Sequence, residues 1–182
     1  MPEKIQEKTD GEFSINVMRL PRIEKVVVNV SLGISGEPLE RAIRIVTELT
    51  GQIPCRVKAK KTIRDFGIRS GEHIACFVTL RKEKSEKFLK RALQTVENRI
   101  FKHSFDKYGN FSFGIKEHIE FPNTKYDPEL GIIGMDISVS LGRPGYRIKR
   151  RHHSKSKVGS KHILKSEDAI QFIQDRFGVE IV

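Results

Sequence analysis

The stretch 50–81, TGQIPCRVKAKKTIRDFGIRSGEHIACFVTLR, decides how the chain folds. Its first part alternates: Arg56, Lys58 and Lys60 point one way, Val57 and Ala59 the other. A period of two marks a strand, here with one wet and basic face. Its last part alternates as well, with Ile74, Cys76, Val78 and Leu80 on one face and His73, Ala75, Phe77, Thr79 and Arg81 on the reverse. The spacing predicts an antiparallel pair with an apolar back and a basic, polar front. Between the strands lies the loop 61–71, too long for a tight hairpin turn, and long loops that persist usually carry function. It holds Lys61, Arg64 and Arg69, one ring, Phe66, and one acid, Asp65, which is expected to brace it through Arg64 or Arg69. Phe66 has two readings, stacking on an exposed base or ribose, or folding under the loop. The hairpin has two as well: a polyanion surface, or a solvated element whose lysines keep it soluble.

Outward from this hairpin the periodicities continue. In IEKVVVNVSLG (23–33), Val26, Val28 and Val30 form an apolar face, and Asn29 is expected to project away from the helices. Gly33-Ile34-Ser35-Gly36 reads as a turn and cap rather than a phosphate loop, since it lacks a lysine and Glu37 would repel a phosphate there. A helix follows, with Pro38 in its first turn, Leu39, Ala42, Ile43, Val46 and Leu49 as its stripe, and Gly51 as its end. After the hairpin, Phe88, Leu89, Ala92, Leu93, Val96 and Ile100 mark a second helix. NFSFGIKEHIEF (110–121) reads as a strand and GMDISVSL (134–141) as the returning one, joined by a turn-rich, hairpin-like connection. The last helix is expected to start at Ser166 as N-cap, to bury Ala169, Ile170, Ile173 and Phe177, and to end at Gly178. The fold class is α+β: a mostly antiparallel sheet with helices on one face and the other face free.

At 182 residues the chain reads as a single domain, with residues 1–16 as a mobile arm and 143–165 as a basic extension. Net charge is +11 and pI about 9.8, a balance that points to nucleic acid or an anionic surface. No apolar run approaches the ~20 residues of a membrane span, and the start is not expected to be a signal peptide. The extension holds nine Lys or Arg residues and no acid, so it is expected to be mobile alone, to gain order on phosphates, and to offer Tyr146 for stacking. Cys55 and Cys76 lie on adjacent strands and are expected to be free buried thiols in a reducing cytoplasm.

No catalytic constellation is legible. Alternation puts Glu117 and His118 on opposite sides of a strand, and His152, His153 and His162 fit no zinc spacing in their cationic surroundings. No cofactor and no metal is expected. Two functional readings remain: a structural RNA-binding protein, and an RNA-processing or RNA-modifying enzyme.

The stretches TGQIPCRVKAKKT (50–62), FGIRSGEHIACFVTLR (66–81), GNFSFGIKEHIEFP (109–122) and GMDISV (134–139) resemble the universal large-subunit ribosomal protein family that binds 5S rRNA, large-subunit protein five in the old bacterial naming. From RPGYRIKRR (143–151) onward the chain is similar to the archaeal and eukaryotic branch. The resemblance implies a non-enzymatic, cytoplasmic constituent of the ribosome's central protuberance. It implies that Asn29, Gln52 and Thr79 are polar contacts to 5S rRNA; Arg56, Lys58 and Phe77 are candidates for the same surface. The family's loop to P-site tRNA falls on Lys60, Lys61, Thr62, Arg64, Phe66 and Arg69. Arg143, Tyr146, Arg147, Lys149, Arg150 and Arg151 are candidates for other RNA contacts. Further implied partners are large-subunit rRNA, a neighbouring 5S-binding ribosomal protein, and a small-subunit protein across an intersubunit bridge, placed on 122–133.

Overall fold

The computed structural model describes residues 16–122, 124 and 127–182. Apart from Asn16, the arm 1–16 lies outside the described residues. Strand β1 (Arg22–Ser31) leads through the Gly33 to Gly36 turn into α1 (Glu37–Thr50). Then come β2 (Cys55–Lys58), β3 (His73–Leu80) and α2 (Glu83–Thr95). The short β4 (Arg99–Ile100), β5 (Phe111–Ile115) and β6 (Met135–Gly142) precede α3 (Ser166–Phe177) and β7 (Glu180–Ile181). Five strands form one antiparallel sheet in the order β2-β3-β1-β6-β5, the architecture expected from the sequence. A parallel pair, β4 with β7, ties the end of the chain to the exit of α2; neither strand is expected from periodicity, because two residues carry no period.

One-sided burial explains this arrangement. Val26, Val28 and Val30 are 0%, 0% and 1% exposed, and opposite them sit Leu80, Val78 and Cys76 of β3 and Val139 and Ile137 of β6. These side chains meet Leu39, Ala42, Val46 and Leu49 of α1 and Phe88, Leu89, Ala92 and Leu93 of α2 in one core. Each large aliphatic side chain contributes about 1.5–3 kcal/mol when buried. Ile45, rather than Ile43, completes the buried stripe of α1, while Ile43 packs at its margin.

Three boundaries differ from the spacing. The second helix stops at Thr95, because Glu97 and Asn98 both take positive φ (54° and 56°) and turn the chain out of the helix. Ile100 therefore reaches the core from β4. The predicted strand 110–121 ends at Ile115. His118–Glu120 forms a 3-10 turn that buries His118 instead, whose Nδ1 accepts a hydrogen bond from the Ile133 N–H (3.3 Å). Burial holds the His118 imidazole below the usual histidine range. Ser166 is the first residue of α3 rather than its cap; Lys165 holds that position.

Gly109 locks α3 onto the sheet. It takes φ +76°, and a Cβ there would lie 2.6 Å from the Ala169 Cβ. Gly67 has a similar φ of +66° but open space around it. Gly109→Ala is therefore expected to lose about 2–4 kcal/mol, backbone strain plus overpacking, and Gly67→Ala only the ~1–2 kcal/mol of strain. Urea unfolding midpoints compare the two; equal losses would remove the close approach as the cause.

Candidate nucleic-acid interface

The face of the sheet turned away from the helices carries, strand by strand, Cys55 and Val57; Ala75, Phe77 and Thr79; Lys25, Val27, Asn29 and Ser31; Asp136, Ser138 and Ser140; and Ser112 and Gly114. Register places them together: Asn29 faces Phe77 on one side and Asp136 on the other, Val27 faces Thr79 and Ser138, and Ser112 faces Ser138. Asn29 and Thr79 thus share the outward face that alternation assigned to them, with Phe77 beside Asn29. The Asn29 amide donates to the Ser31 hydroxyl at 3.2 Å. Gln52 lies apart from this pattern, in the turn after Gly51, where its N–H reaches the Thr50 hydroxyl (3.3 Å).

The face is polar but not basic, which corrects the sequence reading. Arg56 pairs with Cys76, whose side chain is in the core, so Arg56 stands on the helix side of the sheet. Its guanidinium bonds Glu40 of α1 at 2.8 Å. A register shift between Val57 and Lys58 then brings Lys58 opposite His73. Strict alternation through Lys60 fails at this irregularity, which no local pattern announces. Of the strand residues that the register places on the open face, Arg22 (opposite Gly142) and Lys25 are basic and Asp136 is acidic, with Lys58 beyond the shift, and hydroxyls dominate the β5–β6 side. Cys55 sits opposite Phe77 and Cys76 opposite Arg56, so the thiols are on opposite faces; Cys55 is exposed and Cys76 buried, both free. Burial pushes the Cys76 thiol up.

Beyond β2 and β3 the hairpin continues as a braced loop. Ala59 and Glu72 extend the pairing, Ile63 and Ile68 exchange N–H···O bonds at 2.9 and 3.0 Å, and the Gly67 N–H closes the tip on the Arg64 carbonyl at 3.0 Å. Lys60, Lys61, Thr62, Arg64 and Arg69 are exposed, and Phe66 is 73% exposed, which excludes the reading that it folds under the loop. The brace is not Asp65. Glu72, which no local pattern singles out, accepts from the Ser35 hydroxyl and from the Arg69 N–H (3.1 Å). The Ser70 N–H reaches the Thr62 hydroxyl at 3.0 Å, so Thr62 is part of the brace. The signal missed was Ser35: its hydroxyl is distant in sequence and adjacent only once β1 pairs with β3.

The extension 143–165 makes contacts near its two ends, with itself and with the rest of the fold. Tyr146 is 8% exposed and unavailable for open stacking; its hydroxyl accepts from the Leu164 N–H (2.7 Å) and donates to the His162 carbonyl (3.3 Å). Arg143 reaches Asp168 of α3 at 2.9 Å, and Arg150 bonds the carboxylate of Glu24. These contacts take Arg143 and Arg150 out of the set of free cations. Arg147, Lys149 and Arg151 remain at the surface, with the Lys149 amine 4.6 Å from the centre of the Tyr146 ring. Of the bridge stretch 122–133, Asn123, Lys125 and Tyr126 lie outside the described residues; the rest includes a turn in which Asp127 accepts from the Glu129 N–H at 3.0 Å. Among the described residues, no group of His, Cys, Asp and Glu is arranged to hold a metal, and no helix is long and apolar enough to cross a membrane.

The Glu72 brace makes the loop pH-sensitive. The Ser35 hydroxyl first, then the Arg69 N–H, hold the Glu72 carboxyl below its usual 4.5. The folded loop thus favours the ionised form. Its contribution is present above 4.5 and is lost as pH falls through the lowered value. The Arg69 amide resonance is expected to shift over that acid range in the native chain and to stay still in Glu72→Gln. The same variant is expected to be cut faster by protease within 60–71 at neutral pH.

Two family models match the chain in succession: "Ribosomal protein L5" over residues 16–69, and the model of the C-terminus of that same ribosomal family over residues 73–172. The large ribosomal subunit protein uL5 of Pyrobaculum aerophilum is 54% identical over 159 residues, 87% of this chain and 89% of its own. That of Aeropyrum pernix is 50% identical over 182 residues, 100% of this chain and 94% of its own. That of Methanospirillum hungatei is 47% identical over 167 residues, 92% and 99% of the two chains. Identity of this order across nearly whole lengths shows that the chain belongs to the ribosomal protein L5 family, on its archaeal-type branch, a family of ribosomal proteins and not of enzymes.

Proposed function

We propose that this chain is a structural constituent of the large ribosomal subunit in the cytoplasm, and that it holds 5S rRNA against the open face of its sheet, helping to attach that RNA in the central protuberance. The observation that carries this reading is the uncovered face itself. It gathers Asn29, Thr79 and the β5–β6 hydroxyls beside the Phe77 ring, and no helix among the described residues packs over it. A face nearly free of net charge suits riboses and base edges, whose recognition in RNA depends on hydroxyl and amide hydrogen bonds and on stacking. It does not suit a row of phosphates, which draws on lysine and arginine. Gln52 joins the contact set on the family resemblance alone. Arg56 and Lys58 are left out of the platform: the first is held by Glu40, and the second lies beyond the register shift.

The braced loop is assigned to a second RNA, the P-site tRNA. A strand advances about 3.3 Å per residue, so an excursion past β2 and β3 carries its tip well off the sheet. Lys60, Lys61, Arg64 and Arg69 supply phosphate contacts there, and the exposed Phe66 a stacking ring. Arg147, Lys149 and Arg151 of the extension serve large-subunit rRNA. A neighbouring 5S-binding protein and a small-subunit protein at the bridge complete the partners by resemblance. The chain remains one domain in this reading. The alternative of an RNA-processing or RNA-modifying enzyme is set aside by family membership.

Thr79→Val tests the platform. It keeps shape and strand propensity and deletes one hydroxyl, leaving a buried RNA partner unsatisfied at a cost of ~1–3 kcal/mol. Filter binding to 5S rRNA is expected to weaken roughly 5- to 150-fold with an unchanged circular dichroism spectrum; undiminished affinity would remove Thr79 from the interface. Footprints of 5S rRNA with and without the protein locate the same surface on the RNA.

Changing Lys60, Lys61 and Arg64 together to Ala tests the division of surfaces. 5S affinity is expected to stay nearly intact apart from a weaker long-range field. Retention of P-site tRNA by assembled particles is expected to fall, with most of the loss at low salt, where phosphate contacts are strongest. The reverse pattern, lost 5S binding with normal tRNA occupancy, would place the loop on the platform.

A further inference from the structure

A cleft of about 420 Å³ lies between the extension and the end of the sheet, bordered by Ser140 of the open face and by Lys149 of the extension. Its walls come from three places: Glu24, Ser140 and Leu141 at the β1–β6 end, Tyr108 and Asn110 on the approach to β5, and Tyr146, Lys149, Lys157, Val158 and Ile163 of the extension. The volume lies within the usual range of small-ligand sites, roughly 300–1,000 Å³. We propose that this cleft receives one extruded nucleotide of a ribosomal RNA strand, its base between the apolar wall and Tyr108 and its phosphate among Lys149 and Lys157.

The chemistry divides along those lines. Leu141, Val158 and Ile163 supply apolar surface, and the buried Tyr146 ring, fixed by the Leu164 N–H at 2.7 Å, supplies a rigid aromatic wall. Tyr108 stands at the mouth, 50% exposed, and its position is set by its own loop. The Asp106 carboxylate accepts the N–H groups of Tyr108 and Asn110, both at 2.8 Å, and the Asn110 side-chain amide, also at 2.8 Å. Gly109, pressed against α3, holds that loop in place. A half-exposed ring on a preformed loop offers a π-face at little entropic cost. Glu24 supplies a carboxylate whose side chain is only 10% exposed; Arg150 bonds one of its oxygens. Such a carboxylate accepts from an exocyclic amine, which bases carry and inorganic phosphate does not. Lysines 149 and 157 are cations at the cleft's edge and attract the anion. An aromatic mouth, an apolar wall, a recessed acceptor and peripheral cations fit a nucleotide.

The proposal rests on the reading that the chain binds ribosomal RNA, and its test separates the two. The full chain is titrated with a nucleoside monophosphate, with a short single-stranded oligoribonucleotide, and with inorganic phosphate, by NMR shifts of Tyr108, Leu141 and Val158. The monophosphate and the oligoribonucleotide are expected to move the same cleft resonances, the oligoribonucleotide binding more tightly. Tyr108→Ala is expected to weaken the oligoribonucleotide roughly 5- to 150-fold, and Tyr108→Phe to restore it. Lys157→Ala is expected to lower the salt slope by about 0.7. Shifts confined to the open sheet face, or equal affinity in Tyr108→Ala, would overturn the cleft and leave the platform reading standing. Phosphate competing as tightly as the monophosphate would overturn base recognition. A monophosphate that outbinds every strand would overturn an RNA source for the nucleotide.

Discussion

The fold depends on burying one face of its central strand and leaving the other bare. Val26, Val28 and Val30 of β1 are closed off, while Lys25, Val27, Asn29 and Ser31 remain on the open side. Because side chains alternate with a period of two, a slip of one residue would move every one of these valines into water. That penalty fixes the register of β1 against both β3 and β6, and with it the neighbours of Asn29: Phe77 on one side, Asp136 on the other. The composition of the open face is therefore set by the same constraint that builds the core.

Charge is segregated around this frame. The chain carries a net +11, yet on the sheet's open face the register places Arg22 and Lys25 against one acid, Asp136, among its described strand residues. Cations concentrate instead on the hairpin loop and the extension. Field and contact are thus separated. Cations at the periphery raise the local concentration of polyanion over roughly a Debye length of about 8–10 Å. In the proposed reading, directional groups on the sheet then meet riboses and bases with little competition from non-specific phosphate attraction. A platform crowded with lysine would bind any duplex; one of hydroxyls, an amide and a ring is selective by shape.

Appendages rich in like charge repel themselves, and here each is held by a small number of long-range bonds. Glu72 joins the loop to Ser35, Tyr146 gathers both ends of the extension, and Arg143 and Arg150 reach Asp168 and Glu24. The exposed ion pairs are individually weak. Tyr146 differs, since a buried ring whose hydroxyl both donates and accepts resists withdrawal as a unit. It holds the cleft wall and the cationic surface in one geometry.

Sequence alone determined the parts governed by local periodicity: the two faces of β1, β3 and β6, most of the buried stripe of each helix (Ile170 and Phe177 of α3 are only half-buried), the stops at Gly51 and Gly178, and the outward placement of Asn29 and Thr79. It also carried the family, because motifs as long as TGQIPCRVKAKKT are specific. Where a bulge or a distant partner intervened, local reading failed. Arg56 looked like part of a basic front, but pairing with Cys76 turned it toward α1 and Glu40. Alternation ran on past Ile115 because nothing nearby marks the turn that buries His118. Helical spacing carried Ile100 into α2, although positive φ at Glu97 and Asn98 and the parallel pairing with β7 place it elsewhere. Asp65 was the nearest acid to the loop cations, yet Glu72 holds the loop, because Ser35 arrives only when β1 lies beside β3. Tyr146 sits among cations in the chain and is buried in the fold. Periodicity records which side of an element faces apolar surface. It carries no record of which distant element supplies that surface, and only the tertiary structure settles that.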